Sequence, residues 1–240
     1  AERVHGLAAA PGLPRVAALF QVRNQGLAVQ NFLYGHHMAN LSPTALHPNE
    51  LLDGALVNGH FRNGTKTPTL LYTHHPLVAT LYERHGRDLT FAGVILTRGH
   101  WETQDLKERT AELTAQLALV LGLDGVLLNQ EGTGNSTIDY MLTVQALQRV
   151  GVRAVAMVHE YGGPEGVDPP LIDFVPEADA LVSIGGIDRR VLASPVERVI
   201  GGDVVVQHGR PALAEQDVPL QELYAATAAL TARGWRAADF

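Results

Sequence analysis

The chain contains no cysteine. That excludes disulfides, thiolate metal ligands and cysteine nucleophiles. It has no run of lysine or arginine, and its formal net charge is −7. Phosphate neutralisation needs clustered positive charge, so no nucleic-acid partner is expected. No apolar run reaches the roughly 18 residues that suggest a membrane span, and no membrane partner is expected. The start, Ala1-Glu-Arg-Val-His5, lacks the basic-then-apolar order of a secretion signal, which leaves the cytoplasm as the expected compartment. The first residue is not methionine, as in a processed product or a piece of a longer chain. Several catalytic signatures are missing as well. There is no Gly-x-Ser-x-Gly elbow, no His-x-His, and no His-Glu-x-x-His. Gly132-x-Gly134 lacks the third glycine of a dinucleotide fingerprint, so NAD is not expected.

What is present suits a globular α/β protein. The 240 residues are 46% hydrophobic, enough for a sizeable core. We expect a linker over 1–14 and one α/β domain over 15–240. Arg15–Val22 reads as the first strand, Gln25–Tyr34 as a loop or short helix, and Gly35–His37 as a break. Pro43–Asn49 is a poor helix, and Glu50–Asp53 fits one helical turn. Ala55–Phe61 and Leu70–Thr73 read as strands. A helix starts at His74-His75-Pro76, with proline where its missing N–H costs nothing, and Gly86 stops it. Strands and helices then alternate: Leu89–Thr97, helix Glu102–Leu121, Gly125–Asn129, helix Ser136–Val150, Arg153–Val158, Ala180–Ile184, Val204–Gln207 and a closing helix Leu220–Arg233. In the first long helix Leu106, Leu113, Leu117 and Val120 recur near helical spacing. Asn135 or Ser136 is placed to cap the second, with Asp139 in its first turn. Gly162–Pro176 reads as a surface loop or lid. The alternation implies a mainly parallel sheet with helices on both faces, a doubly wound, three-layer arrangement.

Parallel strands would bring their polar ends to one edge. These ends are Thr97-Arg98-Gly99-His100, Asn129-Gln130-Glu131, His159-Glu160-Tyr161, and Ser183 before Gly185-Gly186. Glu131 and Glu160 facing one pocket would push one carboxyl pKa upward and supply an acid and a base, with His159 beside them. Each glutamate could equally cap a helix or pair with an arginine. The helix start at Asn135 could hold a carboxylate or phosphate, or simply be capped. Histidine is abundant, at 11, which is about twice common usage. His74, His75, His100 and His159 are the candidate ligands for a divalent metal, with Glu131 or Glu160. Adjacent histidines on a strand face opposite sides, and hydrogen bonding accounts for most of the eleven without a metal.

Several stretches carry a family resemblance. His47-Pro-Asn-Glu-Leu-Leu-Asp-Gly54, Tyr82-Glu-Arg-His-Gly-Arg-Asp-Leu89, Phe91-Ala-Gly-Val-Ile-Leu-Thr97, Gln130-Glu-Gly-Thr-Gly-Asn135 and Glu160-Tyr-Gly-Gly163 resemble, in order and spacing, the pyruvoyl-type proprotein subunit of glycine, sarcosine and betaine reductase component B and of D-proline reductase. The resemblance runs from about Leu13 to Gly202. It implies a proprotein that cleaves itself before a cysteine, a pyruvoyl group that forms a Schiff base with a substrate amine, and a partner subunit, usually a selenoprotein, that attacks the carbon–nitrogen bond. The implied processing position falls within His60–Thr65, which here reads His-Phe-Arg-Asn-Gly-Thr. A pyruvoyl group is therefore not expected. Thr65 stands near the position and could give an oxobutanoyl group instead. Glu131, Asn135, Glu160 and Tyr161 match family positions. His60, His74, His75 and His159 stand where other residues were expected.

Three readings follow. The first is an oligomeric subunit of a reductase-like complex, binding a small amine or amino-acid-like substrate and acting with a second subunit. Its candidate catalytic residues are Glu131, Glu160, His159 and Thr65, and its candidate binding residues are Asn135, Tyr161, His60, Asn63 and His100. The second is a metal-dependent enzyme on the same scaffold. The third is a non-catalytic partner subunit.

Overall fold

A computed structural model of the chain describes residues 10–25, 30–59, 66–132, 134–160, 171–186, 190–205 and 209–219. The expectations for His60, Phe61, Asn63, Thr65 and Tyr161, for the closing helix 220–233 and for most of the 162–176 loop lie outside the described residues.

The chain enters through β1 (Arg15–Arg23), an apolar run that forms the middle of the main sheet. Then come β2 (Asn31–Leu33), β3 (His36–His37), β4 (Thr44–Leu46), α1 (Pro48–Leu52), β5 (Leu56–Asn58), α2 (Thr69–Thr73) and α3 (Pro76–Arg84). The regular alternation follows: β6 (Thr90–Gly99), α4 (Gln104–Val120), β7 (Gly125–Gln130), α5 (Asn135–Arg149), β8 (Arg153–Glu160) and β9 (Leu181–Gly186). The remaining strands, β10 (Arg190–Ala193), β11 (Val204–Val205), β12 (Arg210–Pro211) and β13 (Gln216–Pro219), pair as two small antiparallel sheets, β10 with β13 and β11 with β12.

The main sheet has six strands in the order β4-β6-β1-β7-β8-β9. All neighbours are parallel except β4, which lies antiparallel along β6. The architecture is therefore α/β with a mixed, mostly parallel sheet. Along β1 successive side chains alternate between two cores. Ala17 and Leu19 pack with Tyr140, Met141 and Val144 of α5 and with Ala115 and Ala118 of α4. Ala18, Phe20 and Val22 pack with Leu51, Tyr72, Leu77, Val78 and Leu81 from α1, α2 and α3.

Four local expectations change. Leu70–Thr73 is helix, because it has no strand partner among the described residues and its turn carries Tyr72 inward; a short apolar run does not distinguish the two states by pattern alone. Within Gln25–Tyr34, residues 31–33 form a strand, and the expected break at 35–37 becomes the return of a hairpin, β2 pairing with both β3 and β5. Helix α4 buries Lys107, Thr110, Ala111, Thr114, Ala115 and Ala118, not a leucine stripe. Val120 is 83% exposed and Leu113 also faces outward, because small residues let α4 lie close against α5. Helix α5 starts one residue earlier than expected, with Gly134 as its cap and no side-chain cap bond. The helix at Pro76 starts as expected, with His75 as its cap.

Candidate functional site

Counting only the parallel strands in chain order, the sheet runs 2-1-3-4-5, with β1 between β6 and β7. The chain crosses from one side of β1 to the other between β6 and β7. In such sheets ligands bind outside the carboxyl ends of the strands at this switch point. Here the two strands at that point end at Arg23 and Gln130.

Glu131 follows directly and bridges them. Its carboxylate is 1% exposed and accepts five hydrogen bonds. The donors are the Arg23 backbone N–H at 2.8 Å, the Asn31 amide at 3.3 Å, the Lys66 ammonium at 2.5 Å, the Thr67 N–H at 2.7 Å and the Tyr72 hydroxyl at 2.7 Å. A carboxylate has about four lone-pair sites, so these are filled. The Lys66 side chain is fully buried and also donates to the Arg23 carbonyl, at 2.7 Å. Burial pushes the Lys66 ammonium below its usual range, and Glu131 opposes that shift. Burial and the adjacent Glu131 charge hold the Tyr72 hydroxyl well above its usual range. The sequence pointed to a glutamate open to a ligand; the structure has one closed around Lys66 and Thr67. Those residues immediately follow the 60–65 stretch. On its other side the Asn58 amide donates to the Thr67 carbonyl at 3.0 Å, and Asn58 N–H donates to Thr69 Oγ1 at 3.0 Å. Both ends of that stretch are thus tied together beside the switch point.

The turn after Glu131 needs glycine. Gly132 has φ +86°, and a Cβ there would lie 2.4 Å from Ser136 Oγ and 3.0 Å from Arg23 Cδ.

A second buried ion pair flanks the site. Lys107 of α4 meets Asp139 of α5 at 2.6 Å. Asp139 also accepts from the backbone N–H groups of His100, at 3.1 Å, and Trp101, at 3.3 Å. Burial raises the Asp139 carboxyl, and the Lys107 pair offsets it. This contact replaces the expected helix-dipole role of Asp139, which lies beyond the first turn of α5. It holds His100 at φ +65°, a left-handed conformation uncommon outside glycine. The His100 ring is half-buried, and burial, then Arg23 and Lys107, lower its pKa. Arg98 braces the same corner: it donates to the Asn24 and Ala39 carbonyls, pairs with Glu102 at 2.7 Å and lies 3.8 Å over the Trp101 ring.

The other expected residues are distributed as follows. Asn135 does not cap α5; its amide donates to the Trp101 carbonyl at 3.1 Å. Glu160, at the end of β8, accepts from the Ser183 hydroxyl of β9 and is partly exposed. His159 is buried, and burial lowers it to about 4. His75 is buried beneath Phe20, its Nδ1 accepts from Leu77 N–H, and burial lowers it to about 3. It is occupied as a helix cap and not presented as a ligand. His74 is hydrogen-bonded to the Leu70 carbonyl at the end of α2. Among the described residues no three histidine, aspartate or glutamate side chains come together as a metal site. Lys66, Tyr72, Lys107 and Asp139 were not expected at the site. Lys66 could have been noticed because it adjoins residues 60–65; nothing in the sequence pairs Lys107 with a residue 32 positions away. No helix among the described residues is long and apolar enough to cross a membrane.

The family model for glycine/sarcosine/betaine reductase component B subunits matches residues 3–236. The glycine reductase complex component B subunits alpha and beta of Peptoclostridium acidaminophilum are 35% identical over 197 residues, covering 82% of this chain and 46% of that protein. The sarcosine reductase complex component B subunit alpha of the same organism is 36% identical over 80% of this chain and 45% of its own length. Its betaine reductase complex component B subunit alpha is 34% identical over 79% of this chain and 43% of its own length. No solved structure matches. The chain spans a little under half the length of these relatives. With a family model covering nearly all of it and relatives above 30% identity across four-fifths of it, this chain belongs to the glycine/sarcosine/betaine reductase component B family.

Proposed function

We propose that this chain is a subunit of a reductase complex that binds a small amine or amino-acid-like substrate at the carboxyl edge of its parallel strands and acts with a second subunit. The observation that carries this reading is the Glu131 latch. A buried carboxylate, an expensive group to take out of water, is spent on anchoring Lys66 and Thr67 at the switch point. That anchors the chain directly after the stretch where the family resemblance places its processing position.

The residues do not fit a cysteine-derived pyruvoyl group, because the chain has no cysteine, and no step is routed through one. Thr65 remains the residue whose modification would give a carbonyl. Glu160 takes over the role first given jointly to the two glutamates and holds a cationic amine or accepts its proton; its partial exposure and its bond to Ser183 support this. His159, kept neutral by burial, offers hydrogen bonding there and not charge.

The test joins intact mass with turnover. Purified full-length chain, with its partner subunit, should turn over a glycine-type substrate, and denatured mass should reveal a cleaved chain or a carbonyl trapped by borohydride with an amine. Glu160→Gln should lower turnover about a hundredfold while assembly persists. Turnover by the unmodified chain with no partner would sink the reading. A second reading, a non-catalytic partner subunit, is favoured by the complete occupation of Glu131 together with the missing cysteine. It requires Glu160→Gln to leave the turnover of the complex unchanged.

A further inference from the structure

The start of α5 carries more than an open helix end. Helix α5 is 15 residues long, and its cap, Gly134, provides no side-chain hydrogen bond. Facing it are polar atoms that are buried without a partner among the described residues: Thr97 Oγ1, Gln130 Oε1 and Thr137 Oγ1. Thr97 is 1% exposed, and Gln130 and Thr137 are 2% exposed. Thr97 and Gln130 are the register partners of Gln21 in the two strands flanking β1. Register partners project from one face of a sheet. The Gln21 amide donates to the Ser136 carbonyl at 2.8 Å, so that face is the one turned to the first turn of α5. Thr137 belongs to that turn itself. A fourth unpartnered buried atom, His100 Nδ1, stands on the adjoining loop.

Unpaired polar groups in a dry interior cost free energy, and native proteins rarely keep several in one place. Two hydroxyls that can donate, beside the positive end of a helix dipole, match the needs of an anion. The surrounding charge agrees. The Glu131 and Asp139 carboxylates nearby are engaged by Lys66 and Lys107.

We infer that Thr97, Thr137 and the first turn of α5 form a carboxylate-binding subsite, which takes the acid end of an amino-acid-like ligand. The Gln130 carbonyl oxygen, an acceptor on the same row, faces the ligand's N–H side. The inference rests on the reading of this edge as the substrate site and assigns its acid-binding half.

The probes are acetate, glycine and methylamine, titrated onto the full chain by isothermal calorimetry or ligand-observed NMR at constant ionic strength. Acetate and glycine should bind, and methylamine should bind more weakly than either. Thr137→Val and Thr97→Val remove a hydroxyl while keeping shape. Because those hydroxyls have no partner among the described residues, the unliganded variants should melt at or above the parent temperature, and each should bind acetate about tenfold more weakly. Two results overturn the inference: no binding of acetate or glycine by the parent chain, or unchanged affinity in both variants. Turnover of the assembled complex separates this failure from that of the parent reading, since a chain that ignores acetate but still supports turnover sinks the subsite alone.

Discussion

Glu131 shows how far a residue's role depends on its neighbours. It lies where a catalytic carboxylate would be sought, at the end of a parallel strand, yet five donors close around it. Glu131→Gln would place an amide N–H against those donors and leave the buried Lys66 charge unpaired. We expect a loss of about 3–5 kcal/mol, read as a fall in the urea midpoint. Tyr72→Phe removes only one of the five donors and should cost about 2 kcal/mol by the same measurement. A Tyr72→Phe loss equal to that of Glu131→Gln would show that the carboxylate is not the centre of the latch. Gly132→Ala meets both a left-handed backbone and the Ser136 hydroxyl, and should destabilise by about 1–3 kcal/mol.

Among the elements, α4 is the instructive case. Its leucines recur at helical spacing, and its helix is where the pattern puts it. The face it buries is the small-residue one, Ala111, Ala115 and Ala118, because two helices on one sheet face must fit side by side. Ala115→Leu should overpack that seam and cost about 1–3 kcal/mol. Val120→Ser, on the exposed face, should stay within about 0.5 kcal/mol of the parent. Equal effects in thermal melts would contradict the assignment of faces. Helix α2 teaches the converse. Leu70–Thr73 looks like a strand by composition, and only the absence of a pairing partner and the reach of Tyr72 to Glu131 make it a helical turn.

For the molecule as a whole, two buried histidines contribute to the response to acid. His75 titrates at about 3 and His159 at about 4 in the fold, against 6.5 for the free side chain. Between those limits the unfolded chain binds more protons than the folded one, so stability falls as pH drops below about 6.5. Denaturant midpoints measured from pH 7 to pH 4.5 should decline steadily. His75→Asn keeps an oxygen to cap α3 and removes one titrating group, so its decline should be shallower. An identical slope in that variant would remove His75 from the account.

The sequence by itself determined the alternation of strands and helices, the polar strand ends and the family, because these rest on local pattern: hydrophobic period, glycine and proline punctuation, and motif order. It also determined the absence of cysteine. The tertiary structure alone decided that β1 lies between β6 and β7, that Glu131 is a latch closed by Lys66 and Tyr72, and that Lys107 holds His100 in place through Asp139. Those side-chain contacts join residues 32 to 65 positions apart. Which of two carboxylates a lysine finds is set by the packing of whole elements and by the cost of leaving a buried charge unpaired, and neither is written in any local stretch of the chain.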